Sequence, residues 1–113
     1  MTAAVIANLQ KLIGTPRDGA LLRFSLGNEH LKQGDAQAAQ AQLREALARD
    51  PAYSAAWKLL GRARAECGQR EEALDAYRQG IAVAEKKGDL QAAREMTVFA
   101  HRIQEQLDST RPN

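Results

Sequence analysis

The side chains able to do chemistry in this chain are few and far apart. His30 and His101 are separated by 71 positions, and neither has a cysteine or carboxylate pair at ligand spacing beside it. Isolated histidines of this kind are expected to be packed or partly exposed rather than metal-bound. Cys67 is the single thiol. A nucleophilic thiol needs a lowered pKa and a nearby base, and the residues around Cys67 supply neither. With no second cysteine, an intramolecular disulfide is excluded. Glu71 and Glu72 are adjacent carboxylates just past Gly68, in what reads as a first helical turn, where negative charge complements the helix dipole. Lys86 and Lys87 precede Gly88 for the mirror-image reason. The glycines never gather into a phosphate-cradling loop. The expectation is therefore no catalysis, no metal, no cofactor and no small-molecule substrate.

Composition narrows the class further. The 113 residues carry a formal net charge of +2, and the aromatics Phe24, Tyr53, Trp57, Tyr77 and Phe99 lie outside any basic run. A nucleic-acid partner, which calls for clustered cations with aromatics between them, is not expected. There are 22 alanines and 13 leucines against 3 valines, 4 isoleucines and 4 threonines, which starves a sheet and favours close-packed helices. Charged residues at 27% are too many for a membrane protein. The stretch from Met1 to Leu9 lacks the cationic start and continuous apolar run of a secretory signal, so a cytoplasmic, membrane-free protein is expected.

The elements that would position any site are punctuated by glycine. Gly34, Gly68 and Gly88 open three similar phrases, Gly34-Asp35-Ala36-Gln37-Ala38-Ala39, Gly68-Gln69-Arg70-Glu71-Glu72-Ala73 and Gly88-Asp89-Leu90-Gln91-Ala92-Ala93. Glycine just past a helix satisfies the last carbonyls, and Asp35 and Asp89 can cap the next helix. Thr15-Pro16 reads as a cap with proline in the first turn, and Asp50-Pro51 as a stop. These signals predict helices over 3–13, 17–33, 36–49, 54–67, 70–87 and 89–108. Short connections make neighbours antiparallel.

Gly34 and Gly68 are 34 residues apart, and the same shift superposes residues 20–53 on 54–87. Leu26 then meets Leu60, Gly27 meets Gly61, Ala39 meets Ala73 and Arg44 meets Arg78. Leu43 aligns with Tyr77, Ala46 with Gly80 and Leu47 with Ile81. With Trp57-Lys58-Leu59-Leu60-Gly61, Ala73 and Tyr77 in the second unit, and Leu26-Gly27, Ala39, Leu43, Ala46 and Pro51 in the first, the chain resembles the tetratricopeptide repeat (TPR) family. It departs from the pattern at Arg23 for the tryptophan, His30 and Arg64 for the tyrosine, and Glu85 for the closing proline. The resemblance implies an all-α fold of antiparallel hairpins stacked as a short right-handed solenoid. Its parts would be a covering helix in 1–16, repeats at 20–53 and 54–87, a capping helix at 88–108 and a disordered tail at 109–113.

In the last helix Met96, Phe99, Ile103 and Leu107 form one stripe, and Leu90, Ala93, Thr97 and Ala100 a second. Both stripes would be used if the helix closes the solenoid; otherwise one stays open and mates with another chain. The resemblance also implies a function. The first helix of each TPR hairpin lines a groove that holds a protein segment, which here assigns Leu21, Phe24, Asn28 and Leu31, then Ala55, Lys58, Arg62 and Ala65. An apolar strip beside two cations suits a peptide with an apolar anchor and a carboxylate. Arg62 would pair that carboxylate and Asn28 the peptide backbone. The plainer alternative leaves Lys58 and Arg62 solvated and packs Phe24 under the N-terminal helix. A carboxylate clamp of the kind some TPR modules use is not supported, because Phe24 and Leu59 stand where a lysine and an asparagine are needed. The chain is thus expected to be a protein-binding adaptor or assembly factor with an unidentified protein or peptide partner. The other classes are a self-associating subunit, as a weak homodimer through Met96, Phe99 and Ile103, and a nucleic-acid-binding solenoid.

Overall fold

The computed structural model describes residues 2–110. Six helices account for nearly all of it: α1 (Thr2–Gln10), α2 (Ala20–Lys32), α3 (Ala36–Arg49), α4 (Ser54–Glu66), α5 (Arg70–Lys87) and α6 (Leu90–Thr110). Three of the turns between them have one construction. Gly34, Gly68 and Gly88 take left-handed φ values of 79°, 75° and 79°. In each, the glycine amide and the next amide fold back on the closing turn, as in Gly34 N to Leu31 O at 3.0 Å and Asp35 N to His30 O at 2.9 Å. This is the Schellman arrangement, which an L side chain at the glycine would strain. Asp35 Oδ1 then accepts from Ala38 N at 3.0 Å and Asp89 Oδ1 from Ala92 N at 3.2 Å, so both aspartates cap as expected.

Three boundaries differ from the sequence reading. The helix expected to run to residue 13 ends at Gln10, and residues 11–14 form a turn. The helix expected from residue 17 starts at Ala20, because Thr15 and Asp18 serve the loop instead. Thr15 Oγ1 accepts from Arg17 N, and the Asp18 carboxylate takes the Gly14 amide at 3.0 Å and a two-bond fork from Arg23 at 2.9 and 3.0 Å. At the other end, Ser109 and Thr110 belong to α6, their hydroxyls donating to Gln106 O and Leu107 O. Residues 109 and 110 are therefore helical rather than part of the disordered tail expected at 109–113, and residues 111–113 lie outside those described.

The hairpins close through glycine seats. A Cβ added at Gly27 would stand 2.6 Å from Leu43 Cγ, and one at Gly61 2.6 Å from Tyr77 Cε1. The side chain from the second helix of each hairpin thus rests on bare backbone of the first. Leu26, Leu43, Leu60 and Met96 are the largest fully buried side chains, one each from α2, α3, α4 and α6. Each helix packs on its chain neighbour, and in addition α2 meets α4 and α4 meets α6, so alternate helices line up side by side. α1 touches only α2, through Ile6 on Leu22 and Leu26. The stack measures 51 × 30 × 21 Å with a radius of gyration of 14.7 Å. A compact chain of this length would have about 13 Å. This is the elongated stack of a solenoid.

α6 resolves its own register. Met96 and Ile103 are buried against α5, with Phe99 and Leu107 packed beside them. That stripe packs α6 onto α5, so it is not free for the homodimer contact expected of Met96, Phe99 and Ile103. The other stripe divides: Ala93 is buried and Ala100 half-buried, while Leu90 and Thr97 are exposed.

Candidate functional site

The side-by-side run of α4 and α6 creates an apolar basin of about 360 Å³. Leu59 and Ala65 come from α4, Tyr77 from α5 and Phe99 from α6, with Lys58, Arg62 and Glu66 around them. Tyr77 and Phe99 lie with ring centroids 5.6 Å apart and tilted by 33°, which fixes the wall. Each cation is partnered. Lys58 Nζ is 3.5 Å from Glu95 Oε2, and Arg62 Nε donates to Glu66 Oε2 at 2.8 Å. The rim is therefore neutral overall and the floor is apolar. Burial pushes the Tyr77 phenol up to about 12, with Arg62 opposing and Glu66 adding to the shift. A second recess of about 270 Å³ continues along the same seam between Ser54, Ala55 and Lys58 of α4 and Gln91, Ala92 and Glu95 of α6.

The expected groove residues are distributed unevenly over this surface. Lys58, Arg62, Ala55 and Ala65 all line the α4–α6 seam. None of the α2 residues does. Leu31 is buried at 4% exposure in the core with Ala36 and Leu43, which removes it from any groove. Phe24 packs with the core of α2, α3 and α4 rather than with the N-terminal helix, and its ring stacks on Tyr53 at 4.8 Å and 24°. Asn28 is half-buried and makes no side-chain hydrogen bond among the described residues, and Leu21 is exposed at 68%. The sequence reading missed Leu59, Glu66, Tyr77, Glu95 and Phe99. For Glu95 and Phe99 a signal is present, since α6 repeats α4 at a spacing of 36 rather than 34.

Cys67 Sγ faces Gln37 Oε1 at 3.6 Å, and His101 pairs with Glu105 at 2.8 Å on the exposed face of α6. Among the described residues no group of three His, Cys, Asp or Glu could hold a metal, and no helix is long and apolar enough to cross a membrane.

Comparison with known proteins agrees with this architecture. A family model described as the bacterial transcriptional activator domain, BTAD, matches residues 18–104. The TPR repeat-containing protein PA0015 of Pseudomonas aeruginosa is 46% identical over 99 residues, covering 88% of this chain and 94% of its own. The solution structure of protein BPP2914 from Bordetella parapertussis superposes with a TM-score of 0.79 at 36% identity, over 90% of this chain and 89% of that one. A tetratricopeptide repeat domain protein from Salinibacter ruber gives 0.70 at 31% identity, over 78% and 88%. The Sgt2 TPR domain of Aspergillus fumigatus shares the fold with a TM-score of 0.82 at 22% identity, over 99% and 74%. The TPR fold suggests a protein–protein interaction module, and the family is generally non-catalytic. By glycine seats, hairpin stacking and these relatives together, the chain belongs to the tetratricopeptide repeat family.

Proposed function

We propose that the chain is a non-catalytic adaptor or assembly factor that holds a segment of a partner protein along the α4–α6 seam. The observation that carries this reading is the apolar basin of Leu59, Ala65, Tyr77 and Phe99. Magnitudes decide which part of the partner matters. Seating a large apolar side chain contributes about 1.5–3 kcal/mol. A carboxylate on the partner would share Arg62 or Lys58 with Glu66 or Glu95, and exposed ion pairs are worth about 0–1 kcal/mol. The anchor is therefore an aliphatic or aromatic side chain, with charge setting orientation and encounter rate.

The test is selection of peptides from a random displayed library on the intact chain, followed by amide chemical-shift mapping. Binders are expected to share one large apolar residue and to shift the amides of Leu59, Ala65 and Phe99. Replacing that residue by Ala in the peptide should weaken binding about tenfold or more, whereas Arg62→Glu should change it less. Selected binders that map to α3, or no enrichment at all, would remove the proposal.

A further inference from the structure

All five exposed large apolar side chains among the described residues lie at the two ends of the stack. Val5, Ile13 and Leu21 are at the N-terminal end, 42%, 37% and 68% exposed; Leu90 and Val98 are on α6, 57% and 49% exposed. The internal register explains both sets. Ala92, Met96, Phe99 and Ile103 stand 36 residues beyond Ala56, Leu60, Ala63 and Cys67, and each group packs on the helix before it. In α4 the adjoining face receives the helix that follows. Gly61 seats Tyr77, Trp57 borders Gly80, and Arg64 Nη1 donates to Glu72 O at 3.1 Å. The counterparts of Trp57, Gly61 and Arg64 in α6 are Ala93, Thr97 and Ala100. Ala93 and Ala100 are smaller than the Trp57 and Arg64 they replace, and Thr97 is larger than Gly61, so the face is shallow and a helix seated on it stands further out. Ala93 and Thr97, with Leu90, Arg94, Val98 and Glu85, line an open notch of about 440 Å³.

α1 is the complementary half. It lies on Leu22 and Leu26 of α2, whose 34-residue counterparts, Ala56 and Leu60, take α3. In that register Val5 matches Ala39 and Ala73, both fully buried, and Leu9 matches Leu43 and Tyr77, the side chains that fill the glycine seats. Among the described residues α1 thus packs as the second helix of a hairpin and α6 as a first helix, each with its other face unpaired. The helix is uncharged from Thr2 to Gln10, so nothing on it repels Glu85 or Arg94, neither of which forms an ion pair among the described residues.

We infer that α1 of a second copy of this chain docks in the α6 notch, with Leu9 over Thr97 and Val5 in the apolar notch. The join follows the register of the packing inside each hairpin, with the incoming helix standing further out because Thr97 carries a Cβ where Gly27 and Gly61 have none; it runs head to tail, so it extends the solenoid rather than closing a symmetric pair. The surface involved is distinct from the α4–α6 basin.

Sedimentation equilibrium of the whole chain tests this. Between about 10 μM and about 1 mM, the range suited to a small interface, the average mass should rise above the 12.4 kDa of one chain. Leu90→Lys with Val98→Lys blocks the notch, and Val5→Lys blocks α1; all three sites are exposed, and circular dichroism checks that folding is kept. Each blocked protein alone should stay at one chain, and an equal mixture should form pairs and nothing larger. A wild type that remains a single chain at every concentration overturns the inference. So does a blocked protein that still associates alone, or a mixture that fails to pair.

Discussion

Arg23 stands where the second repeat has Trp57, and the two very different side chains perform one task. Trp57 Nε1 donates to Pro51 O at 2.9 Å, tying the α3–α4 loop to α4. Arg23 ties the loop before α2 by its fork onto Asp18 and reaches across to Gln42 Oε1 at 3.1 Å. The guanidinium and the Gly14 amide hold the Asp18 carboxyl well below the usual carboxylate range. An unfolded aspartate titrates near about 3.9, so this contribution is complete above that pH and is lost progressively as the medium becomes more acid. Asp18→Asn should lower the melting temperature at neutral pH and flatten the acid limb of a stability-against-pH curve. An unchanged acid limb would show that the fork does not set it. Tyr77 works in the opposite direction: its stabilisation holds below about 10 and falls away as pH rises towards about 12. Burial and Asp50 also raise the Tyr53 phenol, so spectrophotometric titration should find both phenols ionising late, with Tyr77 at about 12.

At the level of elements, the glycine seats decide how close two helices come. Gly61→Ala gains up to about 1 kcal/mol of helix propensity, but the new Cβ meets three ring atoms of Tyr77, at 2.6 to 2.7 Å. Tyr77 is buried at 4% exposure and its ring cannot swing clear without moving Phe99. Overpacking costs about 1–3 kcal/mol, so thermal unfolding should shift downward; an equal or higher midpoint would mean that α4 and α5 slide apart freely. These seats were legible in the sequence, because Gly27 and Gly61 share one register and Leu43 and Tyr77 another. Helix positions were legible for a similar reason, since Gly34, Gly68 and Gly88 dictate a local backbone that nothing distant overrides. The site was legible only by half. A four-and-three spacing identifies one side of a helix but not what faces it. Leu31 follows the same spacing as Phe24, yet it sits at the end of α2 where α3 folds back, and Ala36 covers it. Phe99 lies on α6, whose register differs by two residues, so its meeting with Lys58 and Arg62 emerges only from three helices packed together.

For the molecule as a whole, stability is distributed along a line. Each helix leans on its neighbours, and buried Gln40 adds a polar tie, its Nε2 donating to Gln69 Oε1 at 2.6 Å across the repeat boundary. In such stacks local opening follows nearest-neighbour contacts. α1, held by α2 alone, should exchange its amide hydrogens first, and the α3–α4 centre last. Uniform protection across all six helices would mean that the stack opens only as a unit.

Trp57, the single tryptophan, has its indole bonded to Pro51 and its Cβ against Gly80, at the junction of the two repeats. The protein thereby carries an optical probe at the middle of its length. Indole emission follows that junction and ignores fraying at the ends, whereas backbone dichroism averages over all six helices. The interval between the two signals on heating measures how far the ends of this short rod come undone before its centre.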